Sequence, residues 1–201
     1  MRCFAAIELA DGLRRALRET IARGERQAGG LRWASADQLH VTLWFFGDTV
    51  NERVPELCAA LDAAARDVTP FDLALATLGC FPSIRSPRVL WCGVDDPRRG
   101  CAAWVGAAAP LLARLGYQAE SRPFVPHVTL ARARGPSESA AIRRVLAAEA
   151  SPAKRPVAPS ASGTPGMRVE EVVLMESRLE PRGARYLPVH RARLGPSVEP
   201  G

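Results

Sequence analysis

His40-Val41-Thr42-Leu43 recurs as His127-Val128-Thr129-Leu130, and the 201-residue chain holds only one other histidine, His190. Successive side chains of an extended strand point to opposite faces, so each copy sets an imidazole and a hydroxyl on one face and a Val and a Leu on the other. A single His-x-Thr has little weight, since β-branched residues suit strands and a lone histidine commonly serves packing. Two of three histidines in the same four-residue context point to a repeated functional strand. Facing each other, the copies would line a groove with two groups that titrate near neutral pH and two hydroxyl donors, equipment for moving protons on and off a phosphate ester.

Working outward, Cys3–Leu9 reads as a strand and Asp11–Gln27 as a helix, with Leu13, Ala16, Leu17 and Ile21 at helical spacing and Gly29-Gly30 closing it. The motif strand alternates, with Leu39, Val41, Leu43 and Phe45 toward the core and His40, Thr42, Trp44 and Phe46 on the other face. Val54, Leu57, Cys58, Leu61 and Ala65 mark a second helix that Asn51 would cap, and Phe71–Leu78 a further strand. The second half repeats the same plan: strand Arg88–Val94, helix Arg98–Leu115 ended by Gly116, strand His127–Ala133 and helix Ser137–Ala150. Ser151–Gly166, with four prolines, three serines and two glycines, predicts a mobile surface loop. Strands at Val169–Ser177 and Arg185–Arg193 finish the chain. This order implies an α+β fold built from a duplicated unit, whose pseudo-twofold axis would bring His40 and His127 together.

Length and a 47% hydrophobic content suit one two-lobed domain over residues 1–201. Lys and Arg number 27 against 21 Asp and Glu, a modest bias toward anionic partners, although Lys154 is the one lysine and the arginines partly reflect an Ala-, Arg-, Gly- and Pro-rich composition. Five cysteines without a C-x-x-C pair suggest buried reduced thiols, not a disulfide framework or thiolate zinc site. No stretch has membrane-spanning length, and Glu8 and Asp11 break the short apolar run Cys3–Ile7, so a cytoplasmic monomer without membrane contact is expected.

The paired motifs resemble the HxTx signatures of the 2H phosphoesterases, and their flanks are similar to the RNA 2',3'-cyclic phosphodiesterase branch, also called the 2'-5' RNA ligase family. The matching segments are RCFAAIEL from Arg2, LRW at Leu31–Trp33, LHVTLWFFGD at Leu39–Asp48, PRVLW at Pro87–Trp91, RPFVPHVTLAR at Arg122–Arg132 and GARY at Gly183–Tyr186. Together they span roughly residues 1 to 194. The resemblance implies a bilobal fold with antiparallel sheets around a central cleft and helices outside. It implies an RNA substrate ending in a 2',3'-cyclic phosphate, opened to a 2'-phosphomonoester without a metal or other cofactor. By position, His40 becomes the proton donor to the departing 3' oxygen and His127 the proton acceptor that activates water, with Thr42 and Thr129 on the phosphate oxygens. The resemblance also offers Arg132 as a phosphate-binding cation, which strict alternation places opposite His127 unless the strand bulges. It offers Phe45 as a base-stacking aromatic, whereas alternation favours Trp44 or Phe46. Arg122 and Phe124 are candidates for shaping the cleft mouth, and His190, with no Thr partner, is expected to be structural.

Two alternatives keep the chemistry and change the substrate: a small cyclic nucleotide or ADP-ribose cyclic phosphate, and 2'-5' RNA ligation. A metal-dependent hydrolase lacks its usual H-x-x-x-H or H-E-x-x-H spacing here. A nucleic-acid-binding module with a dead site would have no use for a matched acid and base.

Overall fold

The structure is a computed structural model, and the residues described are 1–149, 166–181 and 183–195. Nine strands and four helices run in the order β1 Arg2–Glu8, α1 Asp11–Gln27, β2 Arg32–Trp33, β3 His40–Asp48, α2 Val54–Arg66, β4 Phe71–Phe81, β5 Val89–Asp95, α3 Gly100–Arg114, β6 His127–Arg132, α4 Pro136–Glu149, β7 Gly166–Val169, β8 Glu171–Glu180 and β9 Gly183–Arg193. All the strand pairs are antiparallel, in the order β7-β4-β5-β6-β3-β1-β8-β9, with β2 beside β6. The two motif strands stand side by side at the centre.

Seven strands lie from β7 to β8 in that order, yet Glu170 alone separates them in the chain. A flat array would hold them about 29 Å apart at about 4.8 Å per strand, far beyond what one residue bridges. The sheet therefore curls, and curling gives it a concave and a convex face. One apolar cluster gathers Cys3, Ala5 and Ile7 of β1 with Leu13 and Leu17 of α1, Leu57 and Leu61 of α2, Trp104 of α3 and Ile142 of α4. Phe4 and Ala6 of β1 turn the other way, into a small cluster with Val173, Met175 and Tyr186. The helices thus lie on the convex side, and the concave side is left open.

The two sequence halves do not coincide with the two lobes. β4, from the first half, pairs with β5 and β7 beside the second motif, while β8, from the second half, pairs with β1 beside the first. Each lobe borrows a strand from the other half of the chain. Periodicity does not show β2, which is two residues long, and of β7 it includes only Val169, at the start of the expected strand Val169–Ser177. Asn51 does not cap α2; it opens a one-turn 3-10 helix, Asn51–Arg53, that leads into α2. Of the expected loop 151–166, only Gly166 falls within the described residues, and it begins β7.

Strict alternation fails in β3, and the reason lies in its pairing with β1. The register shifts between Cys3 and Phe4 and again between Ala5 and Ala6, so β3 carries bulges that skip Leu43 and Phe46. A one-residue bulge reverses the faces of the residues beyond it. Trp44 and Phe46 therefore enter the core, 6% and 7% exposed, and Phe45 emerges at 57%. This corrects the sequence-based faces: Trp44 and Phe46 are unable to stack on a base, and Phe45 shares the face of His40 and Thr42. The same device operates in β6, where the shift between Leu90 and Trp91 skips Leu130. Ala131 then turns inward, 1% exposed, and Arg132 outward.

Helix α1 docks on the sheet through Gly24, where an added Cβ would come within 2.1 Å of the Trp33 ring. Glycine to alanine inside a helix ordinarily stabilises by about 0.5–1 kcal/mol. Here the overlap reverses the sign. Gly24→Ala is expected to lower stability by about 1–3 kcal/mol, the usual range for overpacking, and calorimetry should show a lower midpoint; a raised midpoint would contradict this packing.

Candidate active site

β3 and β6 touch through the pair Val41–Val128. One step from this pair in either direction, the antiparallel register sets His40 beside Thr129 and Thr42 beside His127, so all four side chains share the concave face. The two histidines are diagonal neighbours, about 7–8 Å apart at the backbone in a regular ladder. That separation lets one phosphate reach both side chains.

Each imidazole is oriented by its own strand. His40 Nδ1–H donates to the Gln38 carbonyl at 2.8 Å, and His127 Nδ1–H to the Val125 carbonyl at 2.7 Å. Both therefore present Nε2 to the cleft. His40 Nε2 lies 3.0 Å from Thr42 Oγ1, so in the neutral ring the hydroxyl donates to it. Gln38 is a hub that sequence reasoning missed. Besides its carbonyl, its side-chain oxygen accepts from the Ser35 N–H at 3.1 Å and its Nε2 donates to Ala184 O at 2.7 Å, fastening the histidine to the β8–β9 hairpin.

Aromatic rings wall both histidines. His40 packs against Phe4, with ring centroids 4.8 Å apart, and edge-on against Tyr186 at 5.0 Å. His127 meets Phe81 edge-on at 4.9 Å and Trp91 at 5.9 Å. Trp91 itself lies where a Cβ on Gly79 would stand, 2.3 Å away. Tyr186 and Trp91 lie in segments that carry the family resemblance, but no single-residue signal marked them, or Phe4 and Phe81, as partners of the histidines.

Burial holds the His40 pKa at about 4, assisted by the charges of His127 and Arg132 and opposed by the bond to Gln38. His127 is also lowered, first by burial and then by Arg132, against the Val125 carbonyl and Glu120, which favour its charged form. Arg132 thus acts on both imidazoles, in keeping with its place on the concave face.

The other candidates are elsewhere. Arg122 is exposed in the loop before β6, and Phe124 packs on the core instead of at a cleft mouth. His190 lies on β9 with Nε2 2.7 Å from Asp62 Oδ1 of α2, on the convex side. Among the described residues, no three His, Cys, Asp or Glu side chains are grouped to hold a metal ion, and no helix is long and apolar enough to cross a membrane.

A model of LigT-like phosphoesterases matches the sequence over residues 7–91 and again over 93–186. The chain belongs to this family. The paired match agrees with a duplicated unit carrying one motif in each half. Among LigT-like proteins, the RNA 2',3'-cyclic phosphodiesterase of Methanothermobacter thermautotrophicus is 27% identical over 197 residues, 96% of this chain and 99% of that protein. The Thermus thermophilus protein of the same name is 33% identical over 142 residues, 68% of this chain and 71% of its own length. A crystal structure of a Thermus thermophilus protein superposes with a TM-score of 0.76 at 27% identity, covering 98% of this chain and 99% of that one. Escherichia coli LigT complexed with 3'-AMP gives 0.69 at 27% identity, covering 96% and 97%.

The depressed His40 has a consequence for stability. An unfolded chain protonates this residue near pH 6.5 and the folded one only near 4, so between those values the unfolded state holds more protons and stability falls as pH drops. Replacing His40 by Gln should flatten the fall in unfolding temperature between pH 6.5 and 4. Parallel curves for the two proteins would rule out this account of His40.

Proposed function

We propose that this LigT-like phosphoesterase hydrolyses the 2',3'-cyclic phosphate at the end of an RNA to a 2'-phosphomonoester, acting as one two-lobed unit and as a monomer. The observation that carries the reading is the four-residue face around Val41–Val128, with two imidazole Nε2 atoms and two threonine hydroxyls aimed into one cleft. The names of the relatives support the same substrate.

In this reading His127 is the base. Its Nε2 has no hydrogen-bond partner among the described residues and is free to accept. It takes a proton from water, the water oxygen bonds to phosphorus, and the bond from phosphorus to the 3' oxygen breaks. His40, charged once an anionic phosphate lies beside it, gives its Nε2 proton to that departing oxygen. Thr42 and Thr129 donate to the non-bridging oxygens, where negative charge grows in the transition state. Arg132 adds a cation, and Phe45, exposed on the same face, offers a ring to the terminal base.

Incubation with an oligoribonucleotide bearing a 2',3'-cyclic phosphate, in EDTA, should yield the 2'-phosphate isomer. A rate that requires added divalent metal would place the chemistry elsewhere. His40→Ala and His127→Ala should each lower kcat by about 10²–10⁴, and the double variant should be little worse than either, because acid and base act as a unit. His190→Ala should retain near wild-type turnover. If His190→Ala were as inactive as His40→Ala while His127→Ala kept its activity, the pairing of histidines would be wrong.

A further inference from the structure

The two histidines are not held equally. His40 is bonded at both ring nitrogens, with Nδ1–H donating to Gln38 O and Nε2 meeting the Thr42 hydroxyl, whereas among the described residues His127 is bonded only at Nδ1, to Val125 O. A ring tied at one nitrogen can still tilt about that bond, so the direction of its Nε2 depends on what packs beside it. That neighbour is built into β4 and β5. Trp91 of β5 is the register partner of Thr129 on one side and of Gly79 on the other, and Gly93, two residues on, is the register partner of His127. Register partners share a face, so the indole lies on the concave side with His127 and Thr129. Neither glycine puts a side chain there. A Cβ would come within 2.3 Å of the indole at Gly79 and within 3.3 Å of it at Gly93. The two positions leave the room that the ring fills, with its centroid 5.1 Å from Phe81 and 5.9 Å from His127, while Phe81 closes on His127 edge-on at 4.9 Å.

Packing alone does not call for a tryptophan here. Its Nε1–H is buried and makes no hydrogen bond among the described residues, and a buried donor without a partner is costly. Trp33 gives the comparison: its ring also lies against a glycine, Gly24, but its Nε1–H donates to Ala28 O at 3.1 Å. A phenylalanine at position 91 would avoid the unpaired donor and lose the reach of the outer ring across Gly93 toward His127. We propose that Trp91 is a positioning residue: seated on Gly79 and Gly93, it holds the His127 imidazole at the tilt that aims Nε2 at the reacting water. This inference rests on the reading of His127 as the base. Trp91 needs no contact with the substrate for this role, so its loss slows the chemical step and leaves binding nearly unchanged. A displacement of about 1 Å at a reacting group is enough to cost about a hundredfold in rate.

The test measures kcat and KM on an oligoribonucleotide with a 2',3'-cyclic phosphate end, with circular dichroism to show that each variant folds. Trp91→Leu should lower kcat by about tenfold to a hundredfold and keep KM within about twofold of wild type, with Trp91→Phe between the two. Gly79→Ala, which keeps every ring but pushes the indole from its seat, should lower kcat in wild type and cost nothing further in Trp91→Leu. In a His127→Ala background Trp91→Leu should have no further effect, because the residue it positions is gone. A loss that fell on KM would make Trp91 a substrate contact and overturn the proposal. So would a loss in kcat that adds in full to that of His127→Ala, or an unchanged kcat in Gly79→Ala. Should Trp91→Leu not fold, Trp91→Phe and Gly79→Ala, each crossed with His127→Ala, decide by the same criteria. Wild type that leaves the cyclic phosphate closed, or His127→Ala with wild-type kcat, would instead bring down the reading of His127 as the base, before Trp91 is touched.

Discussion

A single ladder contact, Val41 with Val128, determines how the two halves of the site meet. Among the described residues nothing else pairs β3 with β6, so the placement of four functional side chains depends on the register of one pair of buried valines. Register errors in a strand are severe because a slip of one residue exchanges its faces. Here a slip would turn both histidines and both threonines into the core. Neighbours guard against it: β1 and β5 pair along most of the two motif strands, and Ala34, just after β2, donates its N–H to Leu130 O at 2.8 Å. The contact is short, but its flanks are well fixed.

The exchanged strands serve the same end. Because β4 joins the second lobe and β8 the first, neither half of the chain can complete its sheet without the other. The halves are therefore coupled through the backbone hydrogen bonds of the exchanged strands as well as through one shared apolar core. In the proposed reading the cleft between them holds a phosphate at fixed distance from both imidazoles, which is what positioning contributes to such a reaction.

Much of this was legible in the sequence, and the failures have one cause. The repeat, its strands, the four helices and the convex apolar faces came from spacing alone, because those segments keep a constant period. The period breaks at Leu43 and Leu130, the fourth residue of each motif, where a skipped residue reverses every later face of the strand. Nothing in the composition of either strand marks the skip; it arises from pairing with β1 and β5, which sequence periodicity does not contain. Strict alternation therefore puts Phe45 in the core, Trp44 and Phe46 in the cleft, and Arg132 on the wrong face. Phe45 and Arg132, which the resemblance offers as a base-stacking aromatic and a phosphate-binding cation, both lie on the concave side. Gln38, Phe4, Tyr186, Phe81 and Trp91 escaped for a related reason: each acts through a contact distant in sequence or through a main-chain carbonyl.

The matching bulges also explain how a duplicated scaffold escapes symmetrical chemistry. Phe45 and Arg132 hold equivalent positions, the first to emerge on the concave face after each bulge, yet one is apolar and the other charged. The surroundings differ too, since the Thr42 hydroxyl meets His40 Nε2 between Phe4 and Tyr186, while His127 lies between Phe81 and Trp91 with the Glu120 charge acting on it. Opening a cyclic phosphate requires one imidazole to give a proton while the other takes one. Two identical environments would bind the phosphate but would leave the protons shared between equivalent sites. In the proposed reaction, a cation at one equivalent position and a ring at the other give the substrate one direction of binding, and that direction decides which histidine acts as the acid.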